Sequence, residues 1–149
     1  MASLHTKYFE EALRLAERAG RSNEVPIGAV LVQEGKILAR AHNLTEKKRN
    51  FLAHAEILCL TIASQKLKSK FISNATLYVT VEPCMMCRFA ARLCRIESIY
   101  YLAPSQKFGR NSKRYFHTKI RRARSSTQTD SAIMHLKNFF QIKRSTKID

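Results

Sequence analysis

The sequence predicts a three-layer α/β/α fold: a mixed central sheet with helices on both faces. Three observations predict it. Segments of helical and strand character alternate in the order α-β-β-α-β-α-β-α. One strand segment, ATLYVTV at 75–81, is almost wholly apolar and rich in β-branched residues, as a strand covered on both faces must be. The chain has 149 residues and 45% hydrophobic content, a length and composition suited to one domain with a substantial core, expected over 1–149.

Each element has its own signal. Residues 3–19 repeat apolar side chains at helical spacing (Leu4, Tyr8, Phe9, Ala12, Leu15, Ala16, Ala19), and Gly20 reads as the stop. Residues 27–33 and 36–42 read as a hairpin turning at Glu34-Gly35. Residues 53–67 read as a buried helix, because apolar positions 57, 58, 60, 62 and 63 leave little polar face. After the strand at 75–81, Pro83 suits the first turn of a helix running to about residue 95. A further strand is expected at 96–103 and a last helix at 128–144. Residues 104–127 are polar and basic and predict no element.

Charge is large and uneven. The chain carries 27 Lys/Arg against 11 Asp/Glu, a formal net charge of +16. Residues 107–149 hold 12 of those cations and only 2 of the acids, which makes a basic C-terminal region. Such a field suits a phosphate-rich partner such as nucleic acid. The apolar runs are too short to span a bilayer, and the first twenty residues lack the apolar stretch of a secretory leader. With four cysteines and no export signal, a reducing, cytoplasmic setting is expected, and Cys59 and Cys94 read as small buried hydrophobes.

Two short stretches carry the chemistry. Cys84 and Cys87 stand three apart at an expected helix start, where their sulfurs can converge and the helix dipole favours thiolates. C-x-x-C alone also fits a redox pair, half of a four-cysteine zinc site, or two packed cysteines. His54 and Glu56 open the helix at 53–67. A histidine with two thiolates makes three zinc ligands and leaves one position open, which separates catalytic from structural zinc sites. Water held at an open position becomes a hydroxide-like nucleophile near neutral pH. Glu56 follows His54 by two residues, points elsewhere, and suits the general acid and base beside that water. H-x-E followed by P-C-x-x-C is the signature of zinc nucleobase deaminases, here His54-Ala55-Glu56 and Pro83-Cys84-Met85-Met86-Cys87.

The chain also resembles a family. EVPIGAVLV (24–32), HN (42–43), AHAEI (53–57) and ATLYVTVEPCMMC (75–87) are similar to segments of the bacterial tRNA adenosine deaminases, within the cytidine-deaminase superfamily. The resemblance covers roughly 5–103, with a weaker match at NFFQIKR (138–144). It implies a cytidine-deaminase-like fold with about five strands, one zinc ion per subunit, a homodimer, and a tRNA anticodon stem-loop as substrate. By resemblance Glu56 is catalytic, His54, Cys84 and Cys87 hold the metal, and Asn43, Ile27, Gly28 and Pro83 line the nucleotide pocket. Lys107, Arg110, Phe140, Lys143 and Arg144 are the expected RNA contacts. Two alternatives remain: a deaminase of cytosine in single strands or of a free base such as guanine, and a nucleic-acid-binding protein with a structural zinc. The chain departs from the family after Cys87, where RFAARLC replaces small residues, and at APSQKFGR (103–110).

Overall fold

The computed structural model describes residues 3–105 and 118–146. The elements are α1 (Leu4–Arg21), β1 (Gly28–Gln33), β2 (Lys36–His42), α2 (Ala55–Leu67), β3 (Ala75–Val81), α3 (Met85–Leu93), β4 (Ser98–Ala103), β5 (Lys119–Arg122) and α4 (Ser126–Ser145). The five strands form one sheet in the order β2-β1-β3-β4-β5. β1 runs antiparallel to both β2 and β3, and β3, β4 and β5 are parallel. The N-terminal end of β1 therefore shares one rim of the sheet with the C-terminal ends of the other four. Four loops that carry candidate residues leave from that rim.

The two faces are covered as the apolar β3 demands. Ala29, Leu31, Leu77, Val79 and Ile99 bury one face against Ala55, Cys59, Leu60 and Ala63 of α2 and Ala91 of α3. Val30, Val32, Tyr78 and Leu102 bury the other against Tyr8, Phe9, Ala12 and Leu15 of α1 and Ala132 of α4. Each buried Val, Leu, Ile or Phe among them contributes about 1.5–3 kcal/mol, and the alanines less. Gly28 is where α1 comes closest. A Cβ there would lie 2.0 Å from the Ala12 carbonyl oxygen, so only glycine admits this packing.

The β1–β2 ladder contains a bulge. Leu31 pairs with Ala39, but Val32 pairs with Ile37, so Leu38 is the extra residue.

Several expected boundaries shift. α1 passes through Gly20 to Arg21, and the left-handed residue that ends the turn is Asn23 (φ 63°), an amide residue that tolerates this region. Pro83 is not in the first turn of α3. Cys84 is the N-cap, extended at φ −69° and ψ 170°, and the helix starts at Met85 and stops at Leu93. The extended Cys84 leaves Pro83 in the preceding loop, fully buried. β4 begins at Ser98, because Ile96 is bonded to the end of α3 through the Ala91 carbonyl. β5 lies inside the segment that predicted no element. Its sequence KIRR has one apolar residue, and tertiary pairing with β4 makes it a strand. α4 starts at Ser126, where the Ser125 hydroxyl accepts from Gln128 N.

Candidate active site

Two helix starts face one another at the rim. His54 is the N-cap of α2 and Cys84 the N-cap of α3, and neither side chain caps its own helix. In α2 the cap comes from elsewhere. Asn43, just after β2 and 4% exposed, accepts from Ala55 N through Oδ1 at 2.9 Å. The His54 imidazole is thereby released from capping. Its Nδ1 lies 3.7 Å from Cys84 Sγ and 3.5 Å from Cys87 Sγ, and one donor atom from each of the three residues lies within 4.8 Å of the others.

The donor set suits zinc. A tetrahedral ion with Zn–N of about 2.1 Å and Zn–S of about 2.3 Å spaces nitrogen and sulfur by about 3.6 Å. The two nitrogen–sulfur separations bracket that value. The charges agree with ligation. The Cys87 thiol hydrogen-bonds the Cys84 sulfur and, together with His54, brings its pKa down to about 4, which leaves a thiolate at neutral pH. Cys87 is driven the opposite way by the same partner and by burial. The Cys84 sulfur in turn holds His54 protonated above its ordinary range. Without metal, these three groups share protons that an ion would displace.

Glu56 stands in the first turn of α2, 3% exposed, and its Oε2 has no hydrogen-bond partner. Burial pushes the carboxyl well above its ordinary range. An unpartnered buried oxygen of this kind costs on the order of 1–3 kcal/mol, so it needs a partner from outside the chain.

The remaining candidates sit around this centre with identifiable partners. Ile27 accepts from Asn43 N through its carbonyl at 3.2 Å. Gly28 N donates to the buried Thr80 hydroxyl at 3.2 Å. The Pro83 carbonyl accepts from Arg88 Nε at 2.8 Å. Phe139 is buried and Phe140 is exposed, the two rings meeting edge to face. Arg144 lies one turn beyond Phe140 and is exposed, and Lys143 Nζ stands 5.1 Å from the Phe139 ring centre. Lys107 and Arg110 lie outside the described residues. Cys59 is buried, whereas Cys94 is only half-buried.

Sequence reasoning missed two supports. Glu24 is 1% exposed, and its carboxylate accepts from Glu46 N at 3.1 Å and Lys47 N at 2.8 Å, which fixes the loop between β2 and α2. Arg88 fills the position after Cys87 where the resembled family is small. It pairs inside the protein with Glu82 at 2.7 Å. A buried carboxylate and a buried guanidinium are legible in a sequence only as two charges at uninformative positions.

An H-x-E and a P-C-x-x-C brought together at two helix starts on the rim of a mixed α/β/α sheet define a nucleobase-type deaminase. The chain belongs to the MafB19-like deaminase family, whose profile matches residues 3–144. It is 43% identical over 102 residues to the tRNA-specific adenosine deaminase of Aquifex aeolicus, covering 68% of each chain. It is 39% identical over 140 residues to the tRNA-specific adenosine deaminase of Rickettsia bellii, covering 88% of this chain and 96% of that protein. A solved structure from work on A-to-I editing by tRNA:A34 deaminases at the wobble position of transfer RNA superposes with a TM-score of 0.77. It is 34% identical and covers 85% of this chain and 99% of that one.

Proposed function

We propose that this protein is a hydrolytic deaminase that converts adenosine to inosine at the wobble position of a tRNA anticodon. The observation that carries the chemistry is the buried Glu56, its Oε2 without a partner, beside the converging His54, Cys84 and Cys87. The likeness to tRNA-specific adenosine deaminases over most of the chain supports the substrate.

In this reading His54 Nδ1 and the sulfurs of Cys84 and Cys87 hold one zinc ion per subunit. A zinc ion bound there supplies Lewis acidity, which lowers the pKa of a coordinated water to near neutrality. Glu56 moves the protons. Its Oε2 takes one from the attacking water, delivers it to the adenine ring nitrogen, and assists protonation of the departing amino group. Water is consumed and ammonia released. The raised pKa of Glu56 matches a group that must both accept and return a proton near neutral pH. Asn43 keeps Oδ1 on Ala55 N, so its Nδ2 is the group that donates to the nucleotide. Ile27, Gly28 and Pro83 form the pocket wall in this reading, which rests on the likeness to tRNA-specific adenosine deaminases.

The RNA contacts extend over Lys107, Arg110, Phe140, Lys143 and Arg144, and the +16 charge supplies the long-range attraction. No helix among the described residues is long and apolar enough to cross a membrane. A tRNA substrate places the enzyme, read as one deaminase domain, in the cytoplasm. It works as a homodimer. Met85, Phe89 and Leu93 recur at one-turn spacing along α3, and all three are exposed in the isolated chain. Such an apolar stripe suits self-association.

The test is incubation of zinc-replete protein with anticodon stem-loops bearing adenine, cytosine or guanine at the wobble position, with Glu56→Ala as control. Inosine from the wild type alone supports this function. Turnover of cytosine without turnover of adenine overturns it.

A further inference from the structure

The loop between β2 and α2 reads Lys47-Lys48-Arg49-Asn50-Phe51, and none of the chemistry above uses it. Phe51 is 92% exposed, and no large apolar side chain among the described residues is more so. A solitary exposed ring is ordinary on a loose surface. This loop is not loose. Thr45 O accepts from Asn50 N at 3.0 Å, Ala53 N donates to Asn50 O at 3.0 Å, and Leu44 N donates to Ala53 O at 3.1 Å. Asn50 Oδ1 accepts from Leu52 N at 2.9 Å. The buried Glu24 carboxylate takes two further amides from below. The backbone on both sides of Phe51 is hydrogen-bonded, so the ring is displayed on a braced support.

Its position and company suggest what it is displayed to. Phe51 precedes His54 by three residues, at most about 10 Å of chain. Lys47, Lys48 and Arg49 precede it with only Asn50 between, and all three are exposed. Lys48 also lines, with Arg18 and the ion-paired Arg14, Glu11 and Arg40, a cavity of about 720 Å³. Cations that follow a backbone, joined to an aromatic face, are what single-stranded nucleic acid requires. A second copy of this chain is a poor occupant. The chain carries a formal net charge of +16, so a second copy would bring more positive charge to an already basic loop, and like charges oppose association there.

We propose that Phe51 is the stacking platform for a base flanking the target adenine, with Lys47, Lys48 and Arg49 on the adjoining phosphates. This rests on the tRNA reading given above. Phe51 thereby becomes a positioning residue that holds the splayed loop over the candidate metal site without entering the chemistry.

The chain contains no tryptophan, so Phe51→Trp installs a single emitter at the site in question. Zinc-loaded, full-length Phe51→Trp is titrated with a wobble-adenine stem-loop and with the same stem-loop made abasic at the two flanking positions. Quenching by the intact RNA and not by the abasic one is expected. In steady-state assays Phe51→Ala raises KM about tenfold and leaves kcat nearly unchanged, because stacking is uniform binding, and Phe51→Trp keeps the wild-type KM. Sedimentation shows the same oligomeric state for all three proteins. The proposal is overturned by unquenched emission at saturating RNA, by a wild-type KM for Phe51→Ala, or by Phe51→Ala converting a dimer to monomers. Absence of inosine from the wild type overturns the substrate reading instead, and quenching by RNA in that case still upholds the platform.

Discussion

Glu82 Oε1 and Arg88 Nη2 meet at 2.7 Å inside the protein, with side-chain exposures of 9% and 4%. The pair ties three segments together. Arg88 Nε also donates to the carbonyl of Pro83, and the second Glu82 oxygen accepts from Ser105 N at 3.0 Å. The loop that delivers Cys84 is therefore held from both sides, by the helix it enters and by the segment after β4.

Removing one member of a buried pair leaves the other charge uncompensated, at a cost of about 3–5 kcal/mol. Arg88→Ala is expected to lower the melting temperature of the zinc-loaded protein by about 10 °C. The double variant Glu82→Met/Arg88→Met loses less than Arg88→Ala, because no lone charge remains. Thermal unfolding followed by circular dichroism checks both.

Asn43 joins two functions that substitution can separate. Asn43→Ala removes the acceptor for Ala55 N and is expected to cost about 1 kcal/mol of stability as well as activity. Asn43→Asp keeps the oxygen and loses the amide donor. It is expected to unfold at the wild-type urea midpoint while kcat/KM falls about a hundredfold. A normal kcat/KM for Asn43→Asp would confine the residue to helix capping.

How much of this was legible in the sequence depends on the scale of the interaction. The hairpin at 27–42 and the strand at 75–81 were legible because pattern and turn chemistry are local. His54, Glu56, Cys84 and Cys87 were legible as a motif, and one donor atom each of His54, Cys84 and Cys87 lies within 4.8 Å of the others. β5 was not, because Lys119–Arg122 is a strand only through β4. The capping role of Asn43 was not either, since its partner is 12 residues away on another element.

Glu56→Gln isolates proton transfer. The Glu56 Oε2 atom has no partner to lose, so the melting temperature is expected to hold or rise, and zinc content measured by mass spectrometry stays at the wild-type level. Turnover of adenine-containing stem-loops falls about 10²- to 10⁴-fold. Loss of zinc in this variant would show that Glu56 is a ligand.

The cysteines give a direct readout of the candidate metal site. In metal-free protein the Cys84 pKa, lowered to about 4, keeps a half-exposed thiolate present at all neutral pH values. Alkylation of Cys84 is therefore expected to be nearly independent of pH between about 6 and 8, where an ordinary thiol gains about tenfold per unit. Cys59, buried and with its pKa pushed up to about 12, remains unmodified. Added zinc protects Cys84. Peptide mapping after timed iodoacetamide treatment reads all three outcomes.

The extra residue at Leu38 sets the phase of a whole strand. Side chains along a strand alternate with a period of two, so removing one residue between the hairpin turn and His42 would exchange inside for outside at every later position of β2. Asn43 would then leave the first turn of α2, and His54 would lose the cap that frees its ring. The length of the β1–β2 hairpin is thus constrained by parity rather than by size. Insertions of two residues at its tip, near Gly35, leave the candidate metal site in step, while a single deletion beyond Leu38 would dismantle it from more than forty positions before Cys84 in the chain.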